Sequence, residues 1–255
     1  MAMTEDSTAA HVTFGTHSGA TRTSSGTLPS GFKRRGNPLE QLLTEMGRAL
    51  QVLDGSVSAG RPNPAGPIMQ IPAAAEAPGE AAIELTPAEK KHSAGLMRVN
   101  HVGEICAQAL YRGQAMFCEE DGVREVLYQA AAEEVDHLVW CRERLDELGS
   151  RPSIFNPFWY IASFSLGALA SRAGIPRNLG FMAETEKQVE QHLDSHLNEL
   201  PPHDVRSRRI VEQMRDDEIA HRQTAERHGA VPLPAPVRLA MRCMSKVMTT
   251  TAYRI

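Results

Sequence analysis

The chain has little of what several function classes require. Its four cysteines, Cys106, Cys118, Cys141 and Cys243, include no C-x-x-C pair. That spacing offers neither a disulfide framework nor a zinc motif, and it fits a reducing compartment. Aromatic residues make up only 5% and β-branched runs are few, which argues against a large sheet. The formal charge is −4, so no basic surface suggests nucleic acid as a partner. No Gly-rich dinucleotide fingerprint follows a strand-like run, so no nicotinamide site is legible. The first thirty residues have no apolar core of the kind a secretory signal needs. Only Arg22 precedes Lys33-Arg34-Arg35, too few arginines for a transit peptide.

Residues 1–36 are rich in Ser, Thr and Gly and read as a disordered tail. Residues 37–53 read as a short amphipathic helix, with Leu39, Leu42, Leu43, Met46 and Leu50 on its apolar stripe. Residues 54–85 are rich in Gly, Pro and Ala and read as a linker. Residues 86–255 read as the main domain. Thr86-Pro87-Ala88-Glu89 has the form of a capping box with Pro at the first helical position.

Ala, Leu, Glu, Gln, Met and Arg dominate from Ala88 to Arg227, which favours an all-α fold. Four long helices are expected, at about Pro87–Cys118, Val123–Leu148, Leu179–Leu200 and Asp204–His228. Asp121-Gly122 is read as the end of the first. Between the two pairs lies Pro152–Ser171, twenty residues without Asp, Glu, Lys or Arg. Its prolines, Asn156 and serines dilute it below the profile of a spanning helix. Two readings stay open for it: a buried crossover helix, or one that also meets lipid or an apolar ligand. A last segment to Ile255 places Arg238, Arg242 and Lys246 every four residues among Val237, Met241, Met244, Val247 and Met248. Such a segment either lies at a membrane interface or packs back on the bundle.

One device occurs twice. Glu104 precedes Glu134-Val135-Asp136-His137, and Glu186 precedes Glu218-Ile219-Ala220-His221. In Glu-x-x-His the two side chains project together from one helical face. Helical phasing puts Glu134, His137, Glu186, Glu218 and His221 in apolar stripes that should face a bundle centre. Glu104 shares a more mixed face with Asn100, Ala107, Tyr111 and Gln114. Four carboxylates taken out of water need compensation. Two divalent ions supply +4, with both histidines neutral. A donor set of carboxylate and imidazole without thiolate suits iron or manganese better than copper(I) or zinc. This is the ligand pattern of a carboxylate-bridged di-metal site in a four-helix bundle.

Second partners are also expected. Asp217, beside Glu218, could accept from His137, and Glu133 could accept from His221. Each could equally be a surface charge. His192, six residues after Glu186, is a candidate proton donor or anchor beside the site, the alternative being a partly exposed helix histidine. Glu184 reads as solvated, His101, His196 and His203 as structural or solvated, and Cys106 and Cys141 as small core residues.

Five stretches together carry a resemblance: Gly95-Leu96-Met97-Arg98-Val99-Asn100-His101-Val102-Gly103-Glu104, Ala132-Glu133-Glu134-Val135-Asp136-His137-Leu138, Gly180-Phe181-Met182-Ala183-Glu184-Thr185-Glu186, Met214-Arg215-Asp216-Asp217-Glu218-Ile219-Ala220-His221, and the closing Met244–Ile255. They resemble the demethoxyubiquinone hydroxylases of ubiquinone biosynthesis, over roughly residues 36–255. The resemblance implies a ferritin-like four-helix bundle with an extra apolar crossover helix and a C-terminal amphipathic segment. It implies two iron ions held by Glu104, Glu134, His137, Glu186, Glu218 and His221, with Glu134 and Glu218 bridging. It implies O2 as co-substrate and a polyprenylated benzoquinol as substrate. It further implies a peripheral place on the cytoplasmic side of the cell membrane, with membrane lipid and other ubiquinone-biosynthesis proteins as partners. The reductant would come from a partner, the quinol itself or a weak nicotinamide contact. The same bundle also admits a ferritin-like iron-binding or ferroxidase role, or a membrane scaffold without catalysis.

Overall fold

A computed structural model describes residues 37–67 and 84–255. Those residues are helical or irregular, with no strand among them. The expectations for residues 1–36 and for 68–83 of the linker lie outside the described residues. The helices are α1 (Pro38–Asp54), α2 (Pro87–Met116), α3 (Asp121–Glu147), α4 (Asn156–Ser171), α5 (Ile175–Glu199), α6 (Val205–Arg227) and α7 (Ala235–Ala252). α2 pairs with α3 and α5 with α6, and the two pairs face each other as a ferritin-like helical bundle. α4 lies along α2, and α7 closes over α2 and α5.

Local chemistry sets most of the helix ends. Thr86 and Glu89 form the expected capping box, the Glu89 carboxylate accepting from the Thr86 N–H at 2.9 Å. Asp204 caps α6 by accepting from Ser207 N–H at 3.1 Å. It also accepts from Arg144 at 2.8 Å, tying α6 to α3. Two boundaries differ from the sequence reading. Asp121-Gly122 does not end α2, which closes at Phe117; it opens α3, where an acid in the first turn meets the positive end of the helix dipole. α5 starts four residues before Leu179, because Pro176 lacks only an N–H that the first turn leaves unpaired anyway. The stretch read as a linker is not free at its start. Gly60 and Arg61 bind Asp136 of α3, and Arg206 of α6 donates to the carbonyls of Ala65 and Gly66.

The apolar core falls into two main clusters along the bundle. One contains Leu110, Tyr111, Leu127, Ala131, Met182 and Ala225. The other contains Met97, Trp140, Leu145, Leu193, Ile210 and Met214. On every bundle helix the recurring Glu and His residues fall between a member of one cluster and a member of the other. The core therefore presents an apolar plug above and below them. α2 is buried on most of its circumference, because α3, α4 and α7 cover it from different sides. That is why its Glu104 face looked mixed in sequence.

α4 is a crossover helix that also shows apolar side chains outward. Asn156, Tyr160 and Gly167 are buried, whereas Phe158, Ile161 and Leu169 are more than half exposed. α7 packs back on the bundle, one of its two readings, and also leaves apolar side chains outward. Met241 packs on the core and Tyr253 bonds His92 of α2 at 2.7 Å, while Leu239, Met244 and Val247 stay exposed. No helix among the described residues is long and apolar enough to cross a membrane.

α2 and α4 cross at two glycines. A Cβ on Gly113 would overlap the Phe164 carbonyl oxygen, and one on Gly167 would overlap that of Leu110. Both obstacles are backbone, so neither can swing aside. Gly167→Ala is expected to destabilise the fold by about 1–3 kcal/mol in urea denaturation. Gly47→Ala, in the exposed middle of α1 with nothing near its Cβ, should instead stabilise by about 0.5–1 kcal/mol.

Candidate metal centre

All six residues singled out by the repeat converge. Glu104 from α2, Glu134 and His137 from α3, Glu186 from α5, and Glu218 and His221 from α6 are each at most 7% exposed. They form two overlapping quartets. Glu104, Glu134, His137 and Glu218 bring one oxygen or nitrogen each within 4.8 Å of one another. Glu134, Glu186, Glu218 and His221 do the same. Glu134 and Glu218 belong to both, as bridging carboxylates must.

The imidazoles are oriented alike. His137 Nδ1 faces inward, 3.0 Å from Glu134, 3.3 Å from Glu218 and 3.6 Å from Glu104. His221 Nδ1 faces inward at 3.2 Å from Glu134, 3.4 Å from Glu218 and 3.7 Å from Glu186. Each Nε2 points outward to a carboxylate on the opposite helix. His137 Nε2 lies 2.9 Å from Asp217 and His221 Nε2 lies 2.7 Å from Glu133. Both second partners read from sequence are thus in place, and an N–H held at Nε2 leaves the Nδ1 lone pair free for a metal.

Burial, and then the neighbouring carboxylates, raise the pKa of Glu186 well above the ordinary range. Burial likewise raises Glu104, against its hydrogen bond to His137. Burial also opposes charge on Glu134 and Glu218, but hydrogen bonds from His137 and His221 outweigh it and hold both carboxyls below the usual range. Burial would lower the two histidines, yet Asp217, Glu133 and the inner carboxylates hold both well above the ordinary imidazole value. The raised Glu104 and Glu186 and the lowered Glu134 and Glu218 thus form two kinds of carboxyl, set apart by their contacts with the histidines. Two divalent ions would balance four carboxylates and two neutral imidazoles.

The donor set fits such ions. Six hard or borderline donors converge with no thiolate among them. Cys141, the nearby cysteine of α3, has its thiol pushed well up by burial and faces the Met214 sulfur at 3.7 Å. Glu186 Oε2 is buried without a hydrogen-bond partner, an acceptor that protein atoms alone leave unused.

Some residues at the centre had no signal in the sequence. Tyr111 donates its hydroxyl to Glu186 from the same face of α2 as Glu104. Its place on that face was legible, but its partner was not. Arg61 reaches Asp136 at 2.6 Å and Asp217 at 2.9 Å from the stretch read as linker. No periodicity could have placed it. Glu184 is half-buried and accepts from Gln188, and Glu190 pairs with Arg222 at 3.1 Å, so neither joins the centre.

A cavity of about 250 Å³ opens against Glu104. Its wall is almost wholly apolar and comes from α2, α4, α5 and α7, including Leu110, Phe158, Trp159, Phe181 and Met244. His192 lines it too. Burial first, then the nearby Lys246 charge, pushes the His192 pKa down to about 4, so its ring is neutral at pH 7.

The model of the ubiquinone biosynthesis protein COQ7 family matches residues 91–252, a span holding all six converging residues. The chain belongs to the COQ7 family. It is 64% identical over 224 residues to a protein of Bordetella parapertussis named 3-demethoxyubiquinol 3-hydroxylase, covering 88% of this chain and 96% of that one. The protein of that name in Bordetella petrii is 61% identical over 233 residues, covering 91% and 98%. The one in Ralstonia pickettii is 54% identical over 217 residues, covering 85% and 100%. Arg61 and α1 lie outside the span that the COQ7 family model matches.

Because burial and the carboxylate–histidine contacts favour protons on several of these donors, divalent-ion binding at pH 7 should release protons. Calorimetric titration in buffers of different ionisation enthalpy measures this directly. Affinity should fall as the pH is lowered, since protons then compete more strongly for the same donor atoms.

Proposed function

We propose that the chain is an O2-dependent di-iron monooxygenase that hydroxylates the ring of a polyprenylated demethoxyubiquinol. The observation that carries this reading is the pair of Glu/His quartets sharing Glu134 and Glu218 and opening through Glu104 into an apolar cavity. Membership of the COQ7 family and the names of the relatives supply the substrate class.

In this reading Glu104 and His137 would hold one iron and Glu186 and His221 the other, with Glu134 and Glu218 near enough to serve both. When bound, the irons supply the activation of O2. The chain does the rest. Asp217 and Glu133 keep a proton on each Nε2, so both Nδ1 atoms stay available as ligands. The apolar plugs on either side keep water from the carboxylates. The cavity takes up an apolar ring and brings it against Glu104. His192, whose ring is neutral, lines the cavity and offers it a polar group among apolar ones.

The same reading places the protein peripherally on the cytoplasmic side of the cell membrane. Support comes from the exposed Phe158, Ile161 and Leu169 of α4 and Leu239, Met244 and Val247 of α7, which flank the cavity walls, with Arg238, Arg242 and Lys246 beside them. A lipid-dissolved quinol would enter between these helices. Bare iron storage would leave the apolar cavity without a use.

The test is anaerobic loading of the full chain with ferrous iron, followed by O2 and a quinol analogue, with analysis of the product and of 18O2 incorporation. Hydroxylated quinol carrying one labelled oxygen is expected. Oxidised iron without hydroxylated product would favour the ferroxidase role. Glu134→Ala and His221→Ala should each abolish product together with stoichiometric iron. Preserved turnover in either would overturn the ligand assignment. His192→Ala is expected to lower turnover by about tenfold with two irons still bound, read by product assay and metal analysis together.

A further inference from the structure

The two halves of the centre repeat beyond the metal-facing residues. Gln129 donates to Glu133 at 3.1 Å, and Gln213 donates to Asp217 at 3.0 Å. Each outer carboxylate then faces the Nε2 of the histidine across the bundle. Helices α3 and α6 thus share a Gln, an outer acid, a Glu and a His at the same spacing. The outer acids differ in one contact. Arg61, from the segment after α1, sets its Nη2 2.9 Å from Asp217 Oδ2, the same oxygen that faces His137. That nitrogen is 3.4 Å from His137 Nε2 itself. On Glu133 no lysine or arginine takes this place among the described residues.

Arg61 is firmly placed. Its Nε meets Asp136 at 2.6 Å, and the N–H of Gly60 donates to the other oxygen of Asp136, also at 2.6 Å. Its guanidinium stacks 4.9 Å from the centre of the Trp140 ring, and Trp140 Nε1 donates back to the Arg61 carbonyl at 3.4 Å. Trp140 in turn lies beside the His137 ring, 5.4 Å between centres. Arg61 therefore touches three neighbours of His137 and none of His221.

We propose that Arg61 is a positioning residue for His137, acting through Asp217, and that it makes the two metal positions inequivalent. The proposal rests on the di-iron reading above. A carboxylate oxygen shared with a guanidinium is a poorer acceptor for an imidazole N–H than one facing only a neutral amide. His137 is thereby less polarised than His221, which sets the two ions apart, while the effect of Arg61 on affinity comes from orientation. The guanidinium also fixes the direction of Asp217, whose side chain is 17% exposed and would otherwise be free to turn toward water. Loss of Arg61 acts on the ion beside Glu104 and His137, and leaves the ion beside Glu186 and His221 alone.

The experiment compares the full-length wild type with Arg61→Ala, Arg61→Lys and Asp217→Asn. Each is titrated anaerobically with ferrous iron and examined by 57Fe Mössbauer spectroscopy, with a thermal melt of the metal-free form as a check on folding. The wild type should show two distinct ferrous quadrupole doublets of equal area. Arg61→Ala should weaken one of the two ions by about 10- to 100-fold and shift one doublet only. Arg61→Lys should recover part of the loss, since it restores the charge without the fork. Asp217→Asn should move the same doublet as Arg61→Ala. A single wild-type doublet, unchanged doublets in Arg61→Ala, equal loss of both ions, or an Asp217→Asn effect on the other doublet would each overturn the proposal. A wild type that takes up no iron would instead overturn the di-iron reading.

Discussion

Four carboxyl groups buried within a few ångströms of one another are the constraint around which this molecule is built. None can stay ionised there on its own. The chain meets the constraint by setting two histidines among them, with Asp217 and Glu133 behind the rings, and by packing an apolar cluster on either side.

The cage serves chemistry because its packing is uneven. Three sides are sealed by the paired helices, but the side of Glu104 opens on a cavity whose walls include α4 and α7. These are the helices that carry exposed apolar side chains outward. One layer thus separates a buried polar centre from an apolar exterior, and the route between them is lined with phenylalanine, leucine and methionine rather than with charge. Such a lining admits an apolar ring and discourages water.

The centre was largely legible in the sequence because a metal site on helices is periodic. The spacing of Glu-x-x-His fixes which face each pair occupies, and the adjacent acid at Glu133 or Asp217 falls where it can reach the opposite histidine. Glu104 was harder to place, since a helix covered on several sides has no single apolar stripe to mark its inner face. The residues that escaped notice are those whose position comes from irregular backbone. Arg61 follows a glycine in a Pro- and Gly-rich stretch, where no period says which way a side chain points. Asp121-Gly122 misled for a related reason: the pair suits a helix end, but an acid equally suits a helix start, and only the turn at Phe117 decides between them. Which apolar side chains of α7 pack and which stay exposed could not be read either, because Met241 and Met244 are alike in kind and differ only in what lies against them.

The glycine crossing of α2 and α4 has a geometric consequence. At Gly113 and Gly167 the two backbones meet with no side chain between them, so nothing compressible cushions the contact. α4 can neither slide along α2 nor lift from it without losing that seat. Glu104 stands nine residues before Gly113 on the same rigid helix, about 13 Å along its axis. The crossing therefore works as a depth gauge. It holds the outward edge formed by Phe158, Ile161 and Leu169 at a constant height from the carboxylates, set by two absent Cβ atoms.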